Sequence, residues 1–284
     1  MSSIAVGRVG PEQRAAMERF LAAHAEVTMF LRGNLARAGL RDGPAKYRGV
    51  YMAAWEGDDV VGVAAHYWNG SLVLYAPAGL TELAQAAVQV SGRRVAGILG
   101  PYPQVEEATE ALGLAGTPRR LNSREILYAL DLHAMTLPEL GEELSARIAG
   151  PADLPVLVPW RREYERGLGL FEASDAELRD RLAQTLEAGD TWILERGDVP
   201  VATTGFNARL PDAVQIGGVF TPAEERSRGY GRQVVARSLE AERAKGVTRA
   251  ILFTGTDNQP ARRAYEALGF ESIGTYGLRF FAPS

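Results

Sequence analysis

The chain has 284 residues, 46% of them hydrophobic, with a formal net charge of −4 and no cysteine. The length suits two domains of roughly 140 residues each, with enough apolar residues for two packed cores. Without cysteine there are no disulfides, no thiolate nucleophile and no Cys-based metal site. The mild negative charge and lack of a long basic run argue against nucleic acid as a partner.

His24, His66 and His133 lie far apart in the sequence and show no metal-ligand spacing, so no metal is expected. His24 shares a helical face with Met17, Phe20 and Leu21, which reads as a packed or surface histidine. No apolar run reaches transmembrane length and no signal-peptide core is seen. The expectation is a cytoplasmic protein with no membrane partner; oligomeric state is not readable.

In chain order, an amphipathic segment over 11–25 comes first, then Met29-Phe30-Leu31 and Leu35. Strand-like runs at 50–55 and 60–67 flank Gly57-Asp58-Asp59, a hairpin signal. Ser71–Tyr75 is a short strand, followed by a helix over about 80–90, a strand over 94–99, a helix over 104–112 and a strand over 126–132. The second half repeats this order. A strand near 146–149 precedes helices over 152–166 and 174–188, and runs at 192–195 and 201–206 pair across Arg196-Gly197-Asp198. Strand 214–220 leads to a glycine-rich loop, a helix over 230–245, a strand over 250–253, a helix over 259–268 and strands across 271–281. Helices alternate with strands, yet hairpins also occur. The fold class is therefore α/β with mixed sheets rather than a purely parallel one. The repeated order suggests a duplication, with domains over 1–135 and 145–284 and a linker over 136–144 near Pro138 and Gly141.

The loop after strand 214–220 is the richest stretch. Arg226-Ser227-Arg228-Gly229-Tyr230-Gly231 turns into a helix, which aims bare backbone N–H groups and a positive helix end at one spot. Glycine there lets a phosphate approach the main chain. A nucleotide P-loop would need Gly-Lys-Ser/Thr, but Gly231-Arg232-Gln233 follows. The order of glycines does not fit a dinucleotide fold either.

Two motifs together resemble the GCN5-related N-acetyltransferases, the GNAT superfamily. The first is Val219-Phe220-Thr221-Pro222 followed by Arg226-x-x-Gly229-x-Gly231. The second is Asn258, Tyr265 and then Gly269-Phe270. The resemblance implies two tandem GNAT-like domains, acetyl-CoA as cosubstrate, and transfer of its acetyl group to a primary amine of a small molecule, amino acid or peptide. It implies that backbone over Arg226, Ser227, Arg228, Gly229, Tyr230 and Gly231, assisted by Arg232, holds the pyrophosphate. Val219 and Thr221 would pair with the pantetheine arm, Asn258 would bond it, and Tyr265 would protonate the leaving thiolate.

Other readings stay open for each. The glycines suit a helix-entry turn, Asn258 a helix cap, and Tyr265 a buried stripe with Ala261, Ala264 and Leu268. Strand residues 214–218 lack the carboxylate that many members use as base. Glu163, Glu165 and Glu172, with Trp160, Tyr164 and Phe171, sit in the region that shapes the acceptor pocket; the three carboxylates read as helix-surface charges. The first half offers only Leu74-Tyr75-Ala76-Pro77-Ala78-Gly79-Leu80 where the loop belongs, and Pro77 removes a donor. It reads as a degenerate copy without the CoA motif. The alternative function is a non-catalytic acyl-CoA-binding sensor.

Overall fold

A computed structural model describes residues 4–169 and 173–282; Phe171 and Glu172 lie outside the described residues. Contacts divide the chain into two units, one of Met1–Leu127 with Ile273–Ser284 and one of Tyr128–Ser272. The last strand of the chain therefore counts with the first unit. This division follows contacts, whereas the boundaries at 136–144 follow element order.

The first unit holds β1 (Ile4–Arg8), α1 (Arg14–Ala23), α2 (Ala25–Ala38), β2 (Gly49–Glu56), β3 (Asp59–Tyr67), β4 (Ser71–Tyr75), α3 (Leu80–Ser91), β5 (Gly97–Pro101) and α4 (Tyr102–Ala111). It also takes most of β6 (Arg119–Asp131) and β12 (Glu271–Phe281). Its strands run in the order β1-β2-β3-β4-β5-β12-β6. The hairpin across Gly57 is as expected, with Gly57 at φ 61 supplying the left-handed turn residue. β4 and β5 pair in parallel, with α3 as the crossover between them. The core lies where Leu80, Leu83, Ala84 and Ala87 of α3 meet Val50, Met52, Leu72, Leu74 and Ile98. Arg279 of β12 is 1% exposed and donates to Asn122 Oδ1 at 2.8 Å, Thr109 Oγ1 at 2.7 Å and Glu106, the partners a buried charge needs. His24 is a packed histidine: its ring lies 4.8 Å from Phe20 and 4.9 Å from Tyr75.

Three elements depart from expectation. β1 was not foreseen, because Ile4–Arg8 is short and carries a glycine. β5 begins at Gly97 rather than 94, because the Ala96 and Gly97 N–H groups turn to Gly70 O instead of a strand partner. β6 begins at Arg119, within a polar stretch that has no hydrophobic alternation to betray it.

The second unit holds β7 (Leu144–Ile148), α5 (Leu154–Gly167), α6 (Asp175–Glu187), β8 (Thr191–Arg196), β9 (Val199–Arg209), β10 (Ala213–Phe220), α7 (Tyr230–Ala244), β11 (Arg249–Gly255) and α8 (Gln259–Glu266). From the end of β6 its strands run β11-β10-β9-β8-β7. β7, β8, β9 and β10 form an antiparallel meander, and β10 and β11 are parallel across α7. Leu157 and Val158 of α5 pack with Leu178, Leu182 and Leu186 of α6 over Ile193. α6 opens with a full capping box between Ser174 and Glu177. Within each unit, the antiparallel strands are followed by a single parallel, helix-crossed pair.

Both units bury tyrosines. Desolvation raises the pKa of Tyr51, Tyr67, Tyr265 and Tyr276 above the ordinary value of 10.0. The folded protein thus keeps protons that the unfolded chain releases. The stability from these groups is complete below pH 10 and declines as pH rises beyond it. Above that pH the melting temperature should fall, with tyrosinate absorbance rising as the chain unfolds, while a flat profile would contradict this burial.

Candidate active site

The two parallel pairs differ where a ligand would enter. In the first unit, β4 pairs with β5 from Ser71 to Val73, and beyond that pairing the two backbones stay close: a Cβ on Gly100 would lie 2.5 Å from Leu74 O. Gln104 Oε1 accepts the Ala76 N–H at 2.9 Å, so this backbone donor is already taken. In the second unit, β10 pairs with β11 only from Ala213 to Gln215, although β10 runs on to Phe220 and β11 to Gly255. Its pairing with β9 also shifts between Gly217 and Phe220, and Gly218 sits at φ 63 in this bulge. Two neighbouring strands therefore part over the stretch that holds Val219, and an extended chain can pair with an edge so exposed.

The loop stands at the mouth of this opening. Ser227 at φ 63 and Gly229 at φ 79 alternate left-handed turns with ordinary backbone, the geometry of an anion-binding nest. Among the described residues, the N–H groups from Ser227 to Arg232 have no backbone acceptor. Gly229 begins α7 without a side-chain cap, and the first turn has no acid to offset the positive helix end. Arg232, in that first turn, has a buried Nε with no partner among the described residues. α6 shows how the same chain caps a helix that needs no ligand. A Cβ on Gly231 would meet only Thr221 Oγ1 at 3.4 Å and Val219 Cγ1 at 3.7 Å, ordinary contacts. Packing within the protein does not explain that glycine, whereas a phosphate against the main chain does. The residues therefore fit a pyrophosphate-bearing cosubstrate.

The arginines of the loop are held in place by carboxylates. Arg226 donates to Thr221 O at 3.0 Å and to Glu163 Oε1 at 3.2 Å. Arg228 pairs with Glu225 at 3.2 Å. Glu225 also takes two bonds from Arg196, at 3.0 Å each, and Arg196 donates to the Tyr230 hydroxyl at 3.0 Å. Sequence reading missed this brace, since Arg196 and Glu225 are far apart in the chain and carry no motif.

Asn258 caps α8, its Oδ1 accepting the Ala261 N–H at 3.3 Å, while its Nδ2 donates to Thr254 Oγ1 at 3.3 Å. Tyr265 is 7% exposed and meets the Phe270 ring edge-on at 5.9 Å. Among the described residues its hydroxyl has no hydrogen-bond partner. Burial, and to a lesser degree nearby Tyr164, raises its pKa, so the phenol remains protonated. Glu165 corrects an expectation: it is no surface charge but 4% exposed, held by Arg161 Nε at 2.6 Å and Arg181 at 3.1 Å. Glu163 is exposed and paired with Arg226. Trp160 of α5 packs on Phe220 at 5.9 Å, which lays this helix against the end of β10. Among the described residues no cluster of three or more His, Cys, Asp or Glu could hold a metal, and no helix is long and apolar enough to cross a membrane.

This is the architecture of a tandem acyltransferase fold, in which parted parallel strands open onto a glycine-rich helix start. Residues 155–270 match the family described as "Acetyltransferase (GNAT) family". A mycothiol acetyltransferase of Corynebacterium glutamicum (strain R) is 29% identical over 172 residues, which are 56% of this chain and 59% of that protein. The mycothiol acetyltransferase of Rhodococcus jostii (strain RHA1) is 26% identical over 294 residues, 85% of this chain and 90% of that one. Among solved structures, a tandem GNAT protein from the clavulanic acid biosynthesis pathway has a TM-score of 0.59 at 15% identity, covering 99% of this chain and 100% of its own. A GCN5-related N-acetyltransferase from Sphaerobacter thermophilus has a TM-score of 0.62 at 16% identity, covering 97% and 94%. These structural likenesses show the fold. The match with the Corynebacterium relative spans somewhat under two thirds of that relative's length. The GNAT family match thus falls on residues 155–270, and the chain as a whole has the fold of tandem GNAT proteins.

Proposed function

We propose that the second unit is an N-acetyltransferase that moves an acetyl group from acetyl-CoA to a primary amine, and that the first unit is a degenerate copy without a CoA site. The observation that carries this is the parting of β10 from β11 beside an uncapped, glycine-led α7. Bound acetyl-CoA supplies the activated acyl group. The N–H groups of 227–231, the start of α7 and Arg232 hold its pyrophosphate; the Arg226 N–H, expected among them, is bonded to Ala223 O, and the Arg226 and Arg228 side chains add charge. Val219 and Thr221 offer backbone to the pantetheine arm, and Asn258 borders it. The acceptor amine attacks the acetyl carbonyl carbon directly, the carbon–sulfur bond breaks, and Tyr265 gives its proton to the departing thiolate. No covalent enzyme intermediate is required, in keeping with a chain that has no cysteine. Glu163 and Glu165 are both committed to arginines, so the amine proton leaves through water. A cytoplasmic setting and a small-molecule acceptor belong to the same reading.

β10 offers Gln215 rather than a carboxylate, and this favours a second reading, an acyl-CoA sensor without turnover. CoA-thiol release separates the two. The protein is mixed with acetyl-CoA and a panel of amino acids, amino-acid amides, peptides and an amine acceptor of the mycothiol type that the relatives' names suggest. Amine-dependent thiol release is the expected result. Saturable acetyl-CoA binding with no release from any amine would replace the enzyme by the sensor.

A further inference from the structure

Arg161 stands apart from the other arginines near the site. Its Nε is fixed on Glu165 Oε1 at 2.6 Å, and Glu165 is itself buried. Its guanidinium lies over the Tyr164 ring at 5.3 Å. Among the described residues its two terminal nitrogens have no hydrogen-bond partner, and the side chain is 38% exposed. They face the β10 bulge: a Cβ on Gly218 would lie 3.4 Å from Arg161 Nη1. Adjacent Val219 faces the other way, its Cγ1 3.7 Å from where a Gly231 Cβ would be. The pyrophosphate loop and the arginine fork thus lie on opposite sides of one strand.

The charge here is uneven. Glu165 is the carboxylate for both Arg161 and Arg181, so these three side chains carry a surplus positive charge. Arg162 and Arg226 have their own acids, Asp175 and Glu163. A surplus cation beside the bulge favours an acceptor that brings an anionic group to this spot. A planar fork fixed at Nε presents two parallel N–H donors, the geometry that takes a carboxylate by both oxygens.

Resting on the transferase reading above, we infer that the acceptor carries a carboxylate close to its amine, as an α-amino acid does, and that Arg161 reads it. Arg161 is then a specificity-determining residue for the acceptor and has no part in holding acetyl-CoA.

The test compares free α-amino acids with their α-amides as acceptors, in the wild type, Arg161→Gln and Arg161→Lys. The wild type should favour the acids by at least ~10-fold in kcat/KM, because a fork built for an anion is left unpaired by the amide. Arg161→Gln should erase that preference by raising the KM for the acids, with acetyl-CoA affinity unchanged. Arg161→Lys should keep part of it, since the charge survives and the fork does not. Melting temperatures for the three proteins should agree closely, because Glu165 retains Arg181. Equal turnover of acids and amides by the wild type, or an acid preference that survives Arg161→Gln, would overturn the inference and leave the transferase reading standing. Turnover with no acceptor at all would overturn both.

Discussion

Gly231→Glu should fold as stably as the parent and lose acetyl-CoA binding. The backbone at Gly231 is not left-handed, and its Cβ site has only ordinary contacts with Thr221 and Val219. A glutamate in the first turn of α7 also meets the positive helix end, which stabilises by about 0.3–1 kcal/mol where no acid stood before. The same carboxylate would project over the N–H groups of 227–232, filling the cradle with a negative charge where a pyrophosphate must lie. Affinity should fall by roughly 100-fold or more, equivalent to ~2.7 kcal/mol. Gly229 is a poorer place for this test. At φ 79 any side chain there strains the backbone, so lost binding and damaged fold could not be told apart. Melting and calorimetric titration on Gly231→Glu check the two halves separately. Retained affinity in a folded variant would mean that the loop is only a helix entry.

Tyr265→Phe should leave both stability and acetyl-CoA affinity near the parental values while kcat drops by a factor on the order of 10²–10⁴. The hydroxyl has no partner among the described residues, so its removal orphans nothing and should change stability by less than ~1 kcal/mol. The ring keeps its edge contact with Phe270. A packing role therefore gives no rate effect in this variant, and an acid role gives a large one. Burial raises the pKa above the ordinary 10.0, so activity should show no decline from this group below pH 10. Undiminished kcat would make Tyr265 a core residue and return the thiolate's proton to solvent.

The sequence announced what depends on local pattern. The Gly57 and Gly197 hairpins, α3, α6, α7 and β10 sit within a residue or two of where periodicity and turn residues put them. The loop was legible because glycines at set spacing after a strand have few other uses. Asn258 shows the limit of such reading: the cap it forms is visible, and a cap and a ligand contact need the same residue in the same place. Features set by long-range packing were not legible. The assignment of β12 to the first unit depends on strands far apart in the chain. Glu165 looked like a surface charge because its helix is strongly amphipathic, and its burial follows from Arg181 on α6 reaching back to it. The parting of β10 from β11, the geometric heart of the site, is written in a bulge at Gly217–Phe220 that only paired strands reveal.

The contrast between two parallel pairs, one closed at Gly100 and one parted beyond Gln215, is best tested by calorimetric titration of acetyl-CoA into the intact wild-type chain. A single saturable site per chain is the expected outcome. No binding would contradict the site in the second unit, and a second equivalent site would contradict the closure of the first.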